Sequence, residues 1–217
     1  GSTSAQEGAS ANLLLLKLAS DGNYQWQSTP GSAAVEKANA LVQTPDSGFV
    51  LAGFTNQNGQ YDMLLIKTDQ YGTPLWTKTY GGSDWDFCNA MTLTGDGGFL
   101  LAGSTFSFGN GHEDAHLVKT DSDGNVQWLS SFGSTGADAA LAVGQASDGG
   151  YFVSGRTANA NGDDDILLIK ASATGNQVWM KTFGGSASEA GHAVTPTSDG
   201  GCVVLSGTKS FSATGKQ

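Results

Sequence analysis

The sequence predicts an all-β chain built from a four-strand sheet that is repeated four times. Three observations lead there. Tryptophans Trp26, Trp76, Trp128 and Trp179 recur at intervals of 50, 52 and 51 residues, which marks an internal repeat. The apolar segments between them are of strand length, too short for ordinary helices. The 32 glycines, against 4 prolines and a charged fraction of 14%, suit many short strands joined by tight turns.

Each copy carries the same punctuation. A lysine stands nine residues before the tryptophan (Lys17, Lys67, Lys119, Lys170) and a glycine four before it (Gly22, Gly72, Gly124, Gly175). A proline or aromatic followed by glycine comes after it (Pro30-Gly31, Tyr80-Gly81, Phe132-Gly133, Phe183-Gly184). Further on comes an Asp-Ser/Gly-Gly turn at Asp46, Asp96, Asp148 and Asp199. In the second copy the predicted strands cover 88–94, 99–105, 115–120 and 126–131. The middle two of each copy, such as Phe49-Val50-Leu51-Ala52 and Met63-Leu64-Leu65-Ile66, are continuously apolar, so both faces of the sheet are buried and the sheets must stack. The first strand carries small residues at one equivalent position (Ala40, Ala90, Ala142, Ala193), as crowding near an axis requires. The last mixes tryptophan with Lys78, Gln127 or Lys181, as an outer strand should.

A radially repeated four-stranded antiparallel sheet, small inside and polar outside, is a propeller blade. The C-terminal segment supplies only the first two strands of a copy and the N-terminal segment only the last two. The expectation is one domain over 1–217, a four-bladed β-propeller with blades at about 36–83, 86–135, 138–186, and 189–209 completed by 12–32. That offset closes the ring and leaves no edge of an unfinished blade. The same offset could instead pair between molecules, making the chain half of an eight-bladed ring formed by two chains. The fourth copy, Gly201-Cys202-Val203-Val204-Leu205-Ser206-Gly207, carries one extra residue before Ser-Gly, which predicts a bulge there.

The pattern Lys-x-Asp-x-x-Gly-x-x-x-Trp at Lys67, Asp69, Gly72, Trp76 and again at Lys119, Asp121, Gly124, Trp128 resembles the tryptophan-docking motif of quinoprotein-like propellers. Ala19 and Ser172 depart from it at the aspartate position. The resemblance implies that each tryptophan packs against the neighbouring blade. The run Asp-Gly-Gly-Phe-x-Leu-Ala-Gly-x-Thr from Asp96 to Thr105 looks like repeats of bacterial and archaeal secreted propeller proteins, which implies an extracellular or cell-surface location.

With 20 acidic against 10 basic side chains, the formal charge of −10 repels phosphate backbones and anionic headgroups, so nucleic acid is an unsuitable partner. The early apolar run Leu13–Leu16 falls far short of the roughly 20 residues of a spanning helix, and membrane insertion is not expected. Cys88 and Cys202 sit in apolar runs and read as free thiols.

Residues present in every copy are most simply scaffold, so function is sought in equivalent polar sets and single-copy departures. Glu36, Asp86, Asp138 and Glu189 occupy equivalent positions just before the first strand, at one mouth of the predicted channel. Four carboxylates there could hold Ca²⁺ through oxygen ligands, or each could cap its own turn by accepting a backbone N–H. A second acidic set, Asp62, Asp114 and Asp165 with Asn12, precedes each third strand and reads as turn-stabilising. Trp85 replaces Val35, Ala137 and Ser188, and an added tryptophan in a loop is a binding anchor for a glycan or protein. Phe106, Phe108, His112 and Glu113 are predicted on the same face, giving one ligand-binding patch. His116, where other copies have leucine, reads as a hydrogen-bonded core histidine.

The leading functional expectation is a non-enzymatic extracellular binding or interaction module using loops on one face. Two others accompany it. One is a polysaccharide hydrolase or lyase with Asp86 and Glu36 as an acid/base pair; the other is a structural spacer of a cell-surface protein.

Overall fold

The computed structural model describes residues 2–3, 12–57 and 59–210, and no helix occurs among them; accordingly none is long and apolar enough to cross a membrane. The strands, in chain order, are β1 (Ser2–Thr3), β2 (Asn12–Leu13), β3 (Leu15–Leu18), β4 (Tyr24–Ser28), β5 (Glu36–Gln43), β6 (Phe49–Thr55), β7 (Asp62–Thr68), β8 (Pro74–Tyr80) and β9 (Asp86–Leu93). They continue as β10 (Phe99–Thr105), β11 (Asp114–Thr120), β12 (Val126–Phe132), β13 (Asp138–Gln145), β14 (Tyr151–Ala158), β15 (Asp164–Ala171), β16 (Gln177–Phe183), β17 (Ala190–Pro196) and β18 (Cys202–Gly207). Three four-stranded sheets, β5-β6-β7-β8, β9-β10-β11-β12 and β13-β14-β15-β16, follow sequence order, as the repeat predicts. The strands expected to make the fourth sheet form two separate pairs, β3-β4 and β17-β18, while β1 pairs with β2. Two compact units result, one ending at Cys88 and the other beginning at Asn89, with the boundary inside β9.

In the first unit the core gathers Leu13, Leu15, Leu51, Leu64 and Ile66, against which Trp26, Ala38 and Phe49 pack. In the second, Leu100, Leu117, Tyr151, Val153, Leu167 and Ile169 form one cluster between stacked sheets. Every residue of β7, β10 and β11 is buried, which explains the uninterrupted apolar runs.

The ladder accounts for the constant nine-residue spacing. Lys17, Lys67, Lys119 and Lys170 face Trp26, Trp76, Trp128 and Trp179 directly across their hairpins, each followed by the same register shift. Behind the strands, the three lysines of the complete sheets are buried. They reach back to the Asp-Ser/Gly-Gly turns at Asp46 (2.7 Å), Asp96 (2.9 Å) and Asp148 (2.8 Å). Each aspartate thereby orders its turn and neutralises the ammonium ion behind it.

Trp26 and Trp128 each meet the next sheet of their own unit. Trp26 lies edge-on to Phe49 at 5.9 Å, and a Cβ on Gly72 would stand 2.8 Å from its ring. Trp128 stands in the same way against Tyr151 and Gly175, and its Nε1 donates to Ala173 O at 3.2 Å. A side chain at Gly72 or Gly175 would strike the ring. Their φ values of 81° and 82° also favour glycine.

The bulge predicted in the fourth copy is not where the sequence placed it. The register shift lies opposite, at Gly191/Ala193 of β17, and it recurs at Ala38/Ala40 of β5 and Ala140/Ala142 of β13. No residue is inserted in β18. Ser206 stands at the position of Gly53 and Gly155, and its partner Gly191 supplies the glycine instead, where the other copies have Ala38 and Ala140. Both cysteines are free thiols, Cys88 buried and Cys202 half-buried.

Candidate functional site

Asp86 organises the first candidate site. Its buried carboxylate accepts the Gly82 N–H at 2.9 Å, and its own N–H donates to Tyr61 O at 2.7 Å. Side chains alternate along a strand, so anchoring Asp86 inward turns Trp85 and Phe87 outward together, and the bond to Tyr61 brings that ring alongside. Four aromatic rings result: Tyr61–Phe87 at 5.4 Å, Tyr61–Trp85 at 6.1 Å, Trp85–Phe87 at 6.3 Å and Phe54–Phe87 at 5.0 Å. Lys37 Nζ lies 5.9 Å from the Phe54 ring centre. Trp85 remains 49% exposed, so the cluster is an open aromatic surface with a cation at one side.

Trp85 was legible in the sequence as a departure; Phe54, Tyr61 and Phe87 were not picked out. The same criterion reaches them. Other copies have Ser104, Arg156 and Gly207 for Phe54, Glu113 and Asp164 for Tyr61, and Lys37, Ala139 and Ala190 for Phe87.

The remaining residues of the predicted patch belong to the second unit, where Phe108 and Glu113 have partners of their own. Phe108 stacks on the His116 ring (5.3 Å, 19° between planes), and the buried His116 shares a 2.8 Å hydrogen bond between Nδ1 and Ser131 Oγ. Glu113 Oε2 accepts from Arg156 Nη2 at 2.6 Å. Phe106 and His112 are exposed.

All four members of the predicted carboxylate ring are buried and hold their own loops. Each accepts a backbone N–H from four residues earlier: Ser32 to Glu36 (3.0 Å), Gly82 to Asp86 (2.9 Å), Ser134 to Asp138 (2.7 Å) and Gly185 to Glu189 (3.0 Å). Hydrogen bonds from Ser210, with Thr208 and the Gly185 N–H adding to them, outweigh desolvation and bring the Glu189 carboxyl down to about 2. The second acidic set converges on the same loops. A Cβ on Gly81 would lie 2.2 Å from Asp62 Oδ1 and 2.8 Å from Asp86 Oδ2; on Gly133 it would lie 2.2 Å from Asp114 Oδ1 and 2.7 Å from Asp138 Oδ2. The glycine after the aromatic is therefore the space two carboxylates share. Among the described residues no three His, Cys, Asp or Glu side chains gather as a metal-holding group. Glu36 Oε2 alone among these oxygens is buried without a hydrogen-bond partner.

No family model matches the chain, and no curated protein matches it in sequence.

Proposed function

We propose that this chain is a non-enzymatic, extracellular binding module that presents the Trp85 cluster to a glycan on a closed four-bladed propeller scaffold. The observation that carries the binding reading is the open four-ring surface at Trp85. Aromatic faces accept the C–H side of a sugar ring, and a large rigid ring loses little entropy on contact. Asp86 and Glu36, the pair a hydrolase or lyase would use, are buried and already engaged by their loops, which favours binding over hydrolysis. The extracellular setting rests on the Asp-Gly-Gly-Phe-x-Leu-Ala-Gly-x-Thr resemblance, and the charge of −10 argues for an uncharged or cationic partner.

The closed scaffold is supported by the complementarity of the two terminal pairs. Lys17 donates to Leu18 O at 3.1 Å and, among the described residues, has no aspartate. Asp199 accepts hydrogen bonds from Thr197 and Gly201 of its own turn and, among the described residues, has no lysine. Leu16 is 51% exposed where Ile66, Val118 and Ile169 are buried; Val203 and Leu205 are 63% and 68% exposed where Val50, Ala52, Leu100 and Ala102 are buried. Setting β18 against β3 in the register of the complete sheets places Val204 opposite Leu16 and Asp199 beside Lys17.

The test is a panel of immobilised glycans probed with the full chain and with Trp85→Ala. Retained melting temperature with at least tenfold weaker binding to the glycan found, roughly 1.4 kcal/mol, is the expected result. Equal binding by the variant would remove Trp85 from the site, and a panel without any ligand would turn the reading toward a protein partner.

A further inference from the structure

We propose a second ligand site in the first unit, a neutral-saccharide pocket lined by Gln25, Trp26, Gln43, Ser47, Gln70 and Tyr71. It does not depend on the Trp85 reading. The cavity holds about 490 Å³, enough for one or two sugar rings, and lies where the β3-β4 hairpin meets the Asp46 and Asp69 turns.

Two independent features set it apart from the scaffold. Ser47 is the single non-glycine residue with positive φ among the described residues, at 66°. The equivalent residues are Gly97, Gly149 and Gly200, with φ of 83°, 81° and 87°. A side chain kept in a conformation that three sister turns reserve for glycine is retained against local strain, which is a mark of functional sites. Ser47 is exposed, and its carbonyl accepts from Gln43 Nε2 at 3.4 Å. The second feature is the lining itself. Gln70 and Tyr71 stand where other copies have Ser122-Asp123 and Ala173-Thr174, so the turn has lost an acidic residue and gained an amide and an exposed ring. Tyr71 is 64% exposed.

The chemistry selects a hydroxyl-rich, uncharged ligand. Each glutamine carboxamide offers donors and an acceptor in one plane, matching the alternating donor and acceptor character of vicinal hydroxyls. The Trp26 and Tyr71 rings supply apolar area for the sugar's C–H face. Among the described residues no carboxylate lines the cavity. Lys17 also lines it, with its ammonium ion donating to Leu18 O at 3.1 Å, and recognition of an uncharged ligand falls to the amides and rings.

The experiment titrates cellohexaose, xylohexaose and mannohexaose, each to 1 mM, into the full chain, read by calorimetry and tryptophan fluorescence. At least one of them should bind. Tyr71→Ala and Gln70→Ala should each weaken binding about tenfold, Ser47→Gly should raise the melting temperature while weakening binding severalfold, and each of these losses should recur in a Trp85→Ala background. Gln25→Ala, at an exposed position, substitutes for any variant that fails to fold. Absence of binding by all three probes, or wild-type affinity in Tyr71→Ala and Gln70→Ala, overturns the pocket. Loss of binding in Trp85→Ala alone also overturns it, and leaves the Trp85 site standing.

Discussion

Lys119 and Asp96 show how one residue pair divides its labour. The lysine is buried, donating to Asp96 Oδ2 (2.9 Å), Thr120 O (2.8 Å) and Gln127 Oε1 (3.0 Å), whereas the aspartate side chain is about half exposed. Removing either partner is therefore asymmetric. Lys119→Met leaves a carboxylate that water can solvate and should cost about 1 kcal/mol; Asp96→Asn leaves an ammonium ion buried without its counter-charge and should cost about 3 kcal/mol. Urea unfolding of the two variants measures the order, and equal losses would contradict it. Protonation reproduces the second variant. The Lys67 ammonium, with Thr44 and the Gly48 N–H, holds Asp46 down at about 2, and Lys170 lowers Asp148 in the same way. A carboxyl depressed in the folded state stabilises fully above the unfolded value near 4, and that contribution is lost as pH falls toward 2. The melting temperature should accordingly stay level down to about pH 5 and drop between about pH 4 and 2.

At the scale of the strand pair, backbone proximity is the controlling fact. A Cβ on Gly155 would lie 1.8 Å from Ala139 O, and one on Gly53 would lie 1.8 Å from Lys37 O, because the shifted first strand presses its backbone against the second. The C-terminal pair tolerates Ser206 at this position with Gly191 opposite. Gly155→Ser should thus destabilise by about 3 kcal/mol, and adding Ala140→Gly should recover part of the loss by freeing the first strand to move away. Thermal melts of the single and double variants decide this; no recovery would mean that the β17-β18 exchange of glycine has another cause. Sequence reading located these strands closely. It misplaced the bulge, because it matched Ser206-Gly207 to Ala52-Gly53 and its counterparts, whereas pairing sets Ser206 itself at the position of Gly53. That is a property of the ladder.

At the scale of the molecule, the proposed closure would join the terminal pairs β3-β4 and β17-β18. If β18 takes β3 as its neighbour, Lys17→Asp and Asp199→Lys should each destabilise, and the two together should restore about 1–2 kcal/mol through the recovered ion pair. Light scattering on the same samples separates a closed monomer from a ring of two chains. Additive losses would dismiss the pairing in either form. β1 pairs with β2 through Ser2↔Leu13 and Thr3↔Asn12, and it competes with β18 if both use the same edge. Trimming the chain before Asn12 should therefore favour closure, seen as a higher melting temperature.

What the sequence determined by itself is whatever repeats. The Lys-to-Trp spacing encodes a cross-strand pair, the apolar runs encode burial on both faces, and the Asp-Gly-Gly turns encode the ion pairs, since each copy faces the same packing problem and answers it with the same residues. Departures such as Trp85 were visible for the same reason. Tertiary structure alone decided which departures meet. Phe54, Tyr61 and the Trp85–Phe87 pair lie on three segments, the last two joined by the hydrogen bond from Asp86 N to Tyr61 O, and Glu113, in the second unit, is held by Arg156. Side-chain convergence depends on loop paths and on register between distant strands, and neither has a local signature in the chain.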